Sequence, residues 1–292
     1  MAPVVHRGPL NVRFVLAWLC LAPALGGCAR LVAQPATVGQ SPLKAATASP
    51  NSMTLEIVFA RFPLGQADLN APLWDSIDEQ HLPAELRSRL AVNGFRAGLV
   101  STHLPQPLAK LLNYTDKAPT EDEQHKVDLP GLQAEPVVRQ RRLQLRTSGR
   151  GEILASGTLK ELPSLLCENG QVCGRTYREA QALFAVQGEF ESEGRVRLAL
   201  TPEIQHGESR QQWNGRDGVF RMEMARPKEI FEALRIEAAL TPGQMLVIGC
   251  LPERPGSLGS HFFTETTAQG PEQKILLIRL AQMPPAELYL DE

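Results

Sequence analysis

The stretch that most limits the fold is "ALFAVQGEFESEGRVRLALTPEI", residues 182–204. Phe184, Val186 and Phe190 alternate before Glu193-Gly194, and Val196, Leu198 and Leu200 alternate after it. Successive strand residues point to opposite faces, so this pattern around a glycine turn predicts an antiparallel hairpin with one apolar face. A lone hairpin is marginal in water, and its apolar face requires a second layer. Other strands are available to supply it. "VVRQRRLQLRTSGRGEILASGTL" reads as two strands about the turn Ser148-Gly149-Arg150-Gly151. "ALRIEAAL" and "QMLVIGC" form another pair, with Leu234, Ile236, Ala238 and Leu240 in strict alternation and Pro242-Gly243 as the turn. "KILLIRLAQ", 274–282, is the last strong strand, and no repeat of fixed period is present. Residues 137–283 are therefore predicted to form a mainly antiparallel β domain, with 284–292 as a tail.

The preceding region has a different pattern. In "MTLEIVFARF", Met53, Leu55, Ile57 and Phe59 share one face and Thr54 and Glu56 the other, which predicts a half-buried strand. Leu73, Trp74 and Ile77 follow at helical spacing. Pro83 suits a helix start, Leu86 and Leu90 lie one turn apart, and Asn93-Gly94 suits a helix stop. "FRAGLVS" reads as a second strand and "PLAKLLN" as a short helix. Residues 53–114 thus read as a small α/β unit, and the polar, charge-rich 115–136 as a linker. The fold class expected is α+β.

The N-terminus fixes the expected compartment. Met1–Arg13 carries Arg7 and Arg13 with no acid, and an apolar run of twelve residues, Phe14–Leu25, follows. Twelve residues fall short of the roughly 20 needed to span a bilayer, so residues 1–27 read as a signal peptide. Leu25-Gly26-Gly27-Cys28 resembles the lipobox of bacterial lipoproteins, a leucine and two small residues before the cysteine that is acylated. The resemblance implies lipidation at Cys28, stable membrane attachment through more than one acyl chain, and residues 28–52 as a flexible tether. Ala29 rather than Asp in the second mature position implies export to the outer membrane, with the folded part facing the periplasm. An ordinary secretory peptide is the alternative. Cleavage leaves 28 basic against 32 acidic residues, a mildly acidic chain.

Composition and motifs exclude several chemistries. A formal charge of −2 and 5% aromatic residues give neither the basic field nor the stacking platforms of a nucleic-acid partner. None of His6, His81, His103, His125, His206 and His261 stands at ligand spacing from another His or a Cys, so no metal is expected. "DSIDEQH", with Asp75, Asp78, Glu79 and His81, reads as a solvated helix face. Ser257 in "RPGSLGSHFF" misses the G-x-S-x-G register because Pro255 stands at the first glycine, and the following "HFFTETTAQG" reads as strand and loop. No phosphate-cradling or dinucleotide motif is present. No cofactor and no enzymatic activity are expected.

Cys167 and Cys173 flank the turn-like "ENGQV", and in an exported protein this spacing allows a disulfide closing a short loop; two free thiols are the alternative. Cys250 ends an apolar strand and reads as a buried thiol. "RQRRLQLRTSGR" places Arg139 and Arg141 on one face and Arg142 and Arg146 on the other. The expectation is an edge strand guarded by charge, with contact to an anionic envelope surface as the alternative.

Three segments in order, "VRLALTPEIQHG", "LTPGQMLVIGCLPERPGSLGSHFF" and "QKILLIRLA", are similar to the β-domain of bacterial secretins, the ring-forming outer-membrane channels. Pro202, Gly243-Gln244, Gly249, Gly259 and Leu276 to Leu280 carry the resemblance. Cys250 replaces the second glycine of the family's pair, and the region is short for a full channel domain. A generic β-sandwich is the alternative. The resemblance implies a structural or assembly role, as a secretin-related ring subunit or an accessory of a secretion system, with a homo-oligomer or secretion-system proteins as partners. A periplasm-facing binding module for an envelope polymer, peptide or hydrophobic ligand is the second function carried forward.

Overall fold

Two strands from the C-terminal third explain the architecture. The computed structural model describes residues 51–113, 138–168, 170–191, 194–216, 219–268 and 270–283. Strand β14 (Gly270–Gln282) pairs with β1 (Ser52–Pro63) on one side and β12 (Met245–Cys250) on the other. β2 (Phe95–Val100) pairs with β12 and β3 (Val138–Arg146) with β1, so the first sheet runs β2-β12-β14-β1-β3, all antiparallel. β13 (Thr264–Thr267) pairs with the start of β14. "KILLIRL" and "MLVIGC" do not alternate because their strands are covered on both faces. Leu276, Ile278, Leu246 and Ile248 enter one core, while Ile275, Leu277, Met245 and Val247 enter the other.

The second sheet is built on β6 (Gln171–Glu191). Its distal half pairs with β5 (Leu159–Glu168), and its proximal half with β4 (Arg150–Leu154) and β7 (Arg195–Gln205). β10 (Lys228–Ile230) and β11 (Ile236–Leu240) line the other edge of β7. The expected hairpin of residues 182–204 is β6–β7, and Phe184, Val186, Val196, Leu198 and Leu200 are all buried. This face packs on Met53, Leu55 and Ile57 of the first sheet, with Phe95, Phe184, Phe262 and Phe263 in edge-on and tilted contacts. β8 (Arg210–Arg216) and β9 (Val219–Ala225) form a separate ribbon that the sequence pattern did not reveal.

The helices follow the expected signals. α1 (Ala67–Asp75) and α3 (Gln106–Asn113) cover the outer face of the first sheet through Leu73, Trp74, Leu108 and Leu111. α2 (Ala84–Val92) starts after Pro83 and buries Leu86 and Leu90. α4 (Leu258–Phe263) corrects the strand-and-loop reading of "HFFTETTAQG" at His261–Phe263, because Ser257 accepts a hydrogen bond from the Ser260 N–H and starts a helix, while Thr264–Thr267 is the strand β13. Phe262 and Phe263 of α4 are fully buried in the main core.

The chain is α+β, with a strand and helices first and a β-rich region after. Residues 53–114 nevertheless do not close a sheet of their own. β1 and β2 are separated by β12 and β14, and the described residues fall in one compact unit, Ala48–Glu292. The physical reason is burial on both faces: only C-terminal strands with apolar residues on both sides can sit between β1 and β2. The expected signal peptide, linker and tail, Cys28, and the tether up to residue 50 lie outside the described residues, and the last tether residue, Ser52, already belongs to β1.

Candidate functional site

The arginine run of β3 leads to the most developed site. β3 is an edge strand, and its register sets Arg139 opposite Phe59 and Arg141 opposite Ile57, so both occupy the face turned toward the second sheet. Arg142 and Arg146 stand opposite Glu56 and Ser52 on the other face. On β1 and β14, Arg61 and Lys274 stand opposite each other and share the face of Arg139 and Arg141. The inward face is apolar through Met53–Ile57 and turns cationic at this end, where β4 finishes and the chain leaves the second sheet.

The result is a cleft of 320 Å³ lined by Phe59, Arg61, Arg139, Arg141, Glu265 and Lys274 on one side. Leu154 to Gly157 and Gln181 line the other. Lys274 is 8% exposed, with Glu265 at 3.8 Å. Arg61 has Glu272 at 3.9 Å. Arg141 donates from Nη2 to the Glu152 carbonyl at 3.1 Å. Burial and the neighbouring Arg139 charge together lower the Arg141 pKa from its ordinary value.

The far wall is braced internally. The Ser156 hydroxyl donates to the Gly157 carbonyl at 2.9 Å and accepts from the Ala182 N–H at 2.9 Å, while Gln181 Nε2 donates to the Ser156 carbonyl at 3.1 Å. Behind it, Arg150 meets the buried Glu203 at 2.6 Å, and Lys228 meets Glu152 at 2.7 Å. Burial opposes charge at Glu152, but Lys228 and Arg150 outweigh it and hold its carboxyl below the usual range. These groups are matched in sign and fix β4 against β7 and β10. Four cations and one carboxylate stand on the lining of the cleft.

The other residues singled out in the sequence do not gather into a site. Glu79 pairs with Arg96 at 2.6 Å, and Arg96 lies over the Trp74 ring at 4.7 Å. Asp78 Oδ1 accepts from the Gln80 N–H. Ser257 donates to the Arg254 carbonyl at 2.7 Å as well as capping α4, and His261 Nε2 contacts the Pro163 carbonyl at 2.7 Å. Among the described residues no group of His, Cys, Asp and Glu could hold a metal ion.

Cys167 and Cys173 are both free thiols, the second of the two alternatives left open by their spacing. In the β5–β6 register Cys173 stands opposite Leu166, and Cys167 opposite Val172. Directly paired residues share a face and their neighbours take the other, so the two thiols point to opposite sides of the ribbon. Cys250 is buried, as its apolar strand predicts. Alternation alone was enough to pair Arg139 with Arg141. Arg61 and Lys274 join them only through the β1–β14 pairing, whose partners are more than two hundred residues apart.

No family model matches the chain, and no curated protein matches it. Among solved structures it is weakly similar to the InvG secretin domain β-barrel from the Salmonella SPI-1 injectisome. Identity is 11% over 82% of this chain, the chain spans 66% of that one, and the TM-score is 0.21. A similarity this loose assigns no function. No helix among the described residues is long and apolar enough to cross a membrane.

Proposed function

We propose that the protein is a lipid-anchored, non-enzymatic component of the bacterial cell envelope, held to the outer membrane through Cys28, whose folded part binds an anionic envelope component in the basic cleft. The observation carrying this reading is the convergence of Arg61, Arg139, Arg141 and Lys274 on one concave site. Cations held at fixed positions in a cleft attract and orient an anionic partner. The test is a charge reversal, Arg139→Glu with Arg141→Glu, followed by retention on envelope polymer fractions at low salt. The wild-type chain is retained and the variant is not; equal retention sinks the reading. Cys28→Ser releases the protein from membranes or leaves it unprocessed, and an unchanged membrane-bound mature form overturns the anchor.

A structural or assembly role, as a secretin-related ring subunit or an accessory of a secretion system, is the second reading. It is favoured by apolar residues exposed on the two outlying ribbons, Leu165 and Val172 on β5–β6 and Met222 and Met224 on β8–β9. Large exposed apolar groups on a protruding ribbon suit contact with another chain. Gentle detergent extraction followed by native sizing separates the readings, since a ring subunit migrates as a large assembly and a binding module as a small species.

A further inference from the structure

The arginines on the other face of β3 stand where the chain from Cys28 enters the fold. We infer that this outer face lies against an anionic lipid surface; this rests on the anchor proposed at Cys28 and is independent of the cleft. The first residue of β1, Ser52, stands opposite Arg146, and the Thr147 N–H donates to the Asn51 carbonyl at 2.9 Å. The chain therefore enters beside Arg146. Residues 29–51 reach at most about 80 Å when fully extended, so the anchor keeps the fold within that distance of the bilayer. The entry point is the part of the fold it holds nearest.

The open half of the outer face has the composition that contact with anionic lipid requires. α1 and α3 pack over the half that holds Ala60, Phe62, Ile275 and Leu277. On the other half Gln140, Arg142, Gln144 and Arg146 alternate along β3, and all four are exposed. Arg279 of β14 joins them across β1 and is half exposed. Glu56 is the one acid that β1, β3 and β14 place on this face. It is 6% exposed and paired with Arg279 and Gln140 rather than with Arg142 or Arg146.

Arg142 and Arg146 lie four residues apart, about 13 Å along the strand, and Arg279 lies two strands from Arg142, about 10 Å across. Charges spread over a plane at this spacing do not converge on one small anion, and each meets a separate headgroup. A strand edge guarded only against pairing takes charge of either sign, whereas the exposed charge on this face is all positive. A basic side chain close to an anionic leaflet contributes about fivefold in partition, so Arg142 and Arg146 together give about 25-fold. That orients a chain already held at the bilayer but does not by itself anchor one.

The test uses the full-length lipidated protein at low ionic strength, in vesicles of phosphatidylcholine alone or of phosphatidylcholine with an equal part of phosphatidylglycerol. Phenylglyoxal modification of each arginine is followed by peptide mass spectrometry. Arg142 and Arg146 are expected to react at least fivefold more slowly on the anionic vesicles. Salt at roughly 1 M, where the screening length falls to ~3 Å, is expected to remove the difference. Exposed Arg178 is the internal reference and should react equally on both. It lies ten residues along β6 from Gly188, whose carbonyl accepts from the Ser148 N–H beyond β3, a separation of about 33 Å. In a second arm the soluble Cys28→Ser chain is sedimented with the anionic vesicles. Arg142→Gln with Arg146→Gln is expected to lower its partition about 25-fold. Arg139→Gln with Arg141→Gln, on the opposite face of the same strand, is expected to leave it within about twofold.

Equal modification of Arg142 and Arg146 on the two vesicle types, in a protein that is acylated and vesicle-bound, overturns the docking face and leaves the anchor standing. Partition lost in the Arg139 and Arg141 variant but kept in the Arg142 and Arg146 variant assigns lipid contact to the cleft and also overturns the outer face. A full-length protein recovered unacylated and free of vesicles overturns the anchor and this inference together.

Discussion

Replacing Asn93 should test how the two sheets are held in register at the end away from the cleft. Asn93 follows α2, is 1% exposed, and reaches across to β5. Its Oδ1 accepts from the Cys167 N–H at 2.7 Å, while Nδ2 donates to the carbonyls of Cys167 at 3.0 Å and Arg89 at 2.9 Å. The amide thus behaves like one residue of a neighbouring strand, pairing both backbone groups of Cys167. Asn93→Ala removes all three bonds, and each buried group left unpaired costs about 1–3 kcal/mol. A cavity of 630 Å³, lined in part by Arg89, Asn93 and Cys167, lies alongside and admits water to some of them. The expected loss is therefore about 3 kcal/mol rather than the ceiling, or roughly 6–12 °C in Tm for a chain of this size. Asn93→Asp is the sharper probe. It preserves shape and the bond from the Cys167 N–H but sets a carboxylate against two carbonyl oxygens, which raises the new carboxyl's folded pKa above its unfolded value of about 3.9. A raised folded pKa contributes stability at low pH that is lost as pH rises, so the deficit of the Asp variant should shrink between pH 7 and pH 4. Urea unfolding followed by the fluorescence of buried Trp74 measures both effects. An Ala variant within about 0.5 kcal/mol of wild type, or an Asp variant with a pH-independent deficit, would refute the role given to this side chain.

Gly259 passes so close to Gly94 that a Cβ on it would lie 2.2 Å from the Gly94 carbonyl oxygen. Gly259→Ala should therefore cost at least ~2 kcal/mol by denaturant unfolding, while Gly174→Ala, whose Cβ meets only Leu165 at 3.7 Å, should stay within about 0.5 kcal/mol. Native-state alkylation at pH 8 should modify exposed Cys173 and spare buried Cys250, and non-reduced peptide mapping should recover Cys167 and Cys173 as separate thiols. Burial pushes the Cys250 thiol up to about 12. The unfolded thiol titrates near ~8.5, so its contribution to stability is complete below that pH and falls by about tenfold in the folding equilibrium per pH unit up to the folded value. Cys250→Ala should flatten that part of the alkaline stability profile.

Local order was legible wherever one residue pattern determined one element. Pro83 and Asn93-Gly94 bounded α2, and alternation gave the hairpin β6–β7 and the single strands β3, β4 and β11. The expected pair of β11 with β12 does not form, since β11 joins β7 and β12 lies between β14 and β2. What could not be read was partnership between distant strands. Period two assigns a face to each residue but does not say which strand lies beside it, and that choice decided the first sheet. "KILLIRL" contained the hint: an apolar run that does not alternate must be covered on both sides, hence central. One local reading failed in part, and one open choice was decided, by nearby causes. The Ser257 cap made His261–Phe263 the end of α4 ahead of the strand β13, and the β5–β6 register faces apart the two cysteines whose pairing the spacing had left open.

The cleft is where the sequence rules give way. A charged residue on the inward face of a sheet works against the fold, since burial penalises the ionised form unless it is paired. Arg61, Arg139, Arg141 and Lys274 occupy inward positions on three adjacent strands. Apolar side chains there would have extended the core. Elsewhere the chain matches its buried charges closely: Glu203 with Arg150, and Glu56 with Arg279 and Gln140. A fold that gathers four cations on the lining of one concave end crowds like charge there, with Arg139 lowering the pKa of its neighbour Arg141. Such crowding persists where an anion from outside the chain offsets it. If no anion does so, replacing Arg139 and Arg141 with glutamine should stabilise the protein by relieving their repulsion and cost it nothing else. Stability gained together with anion affinity lost is the outcome a binding site requires, and unfolding and titration of that one variant measure both.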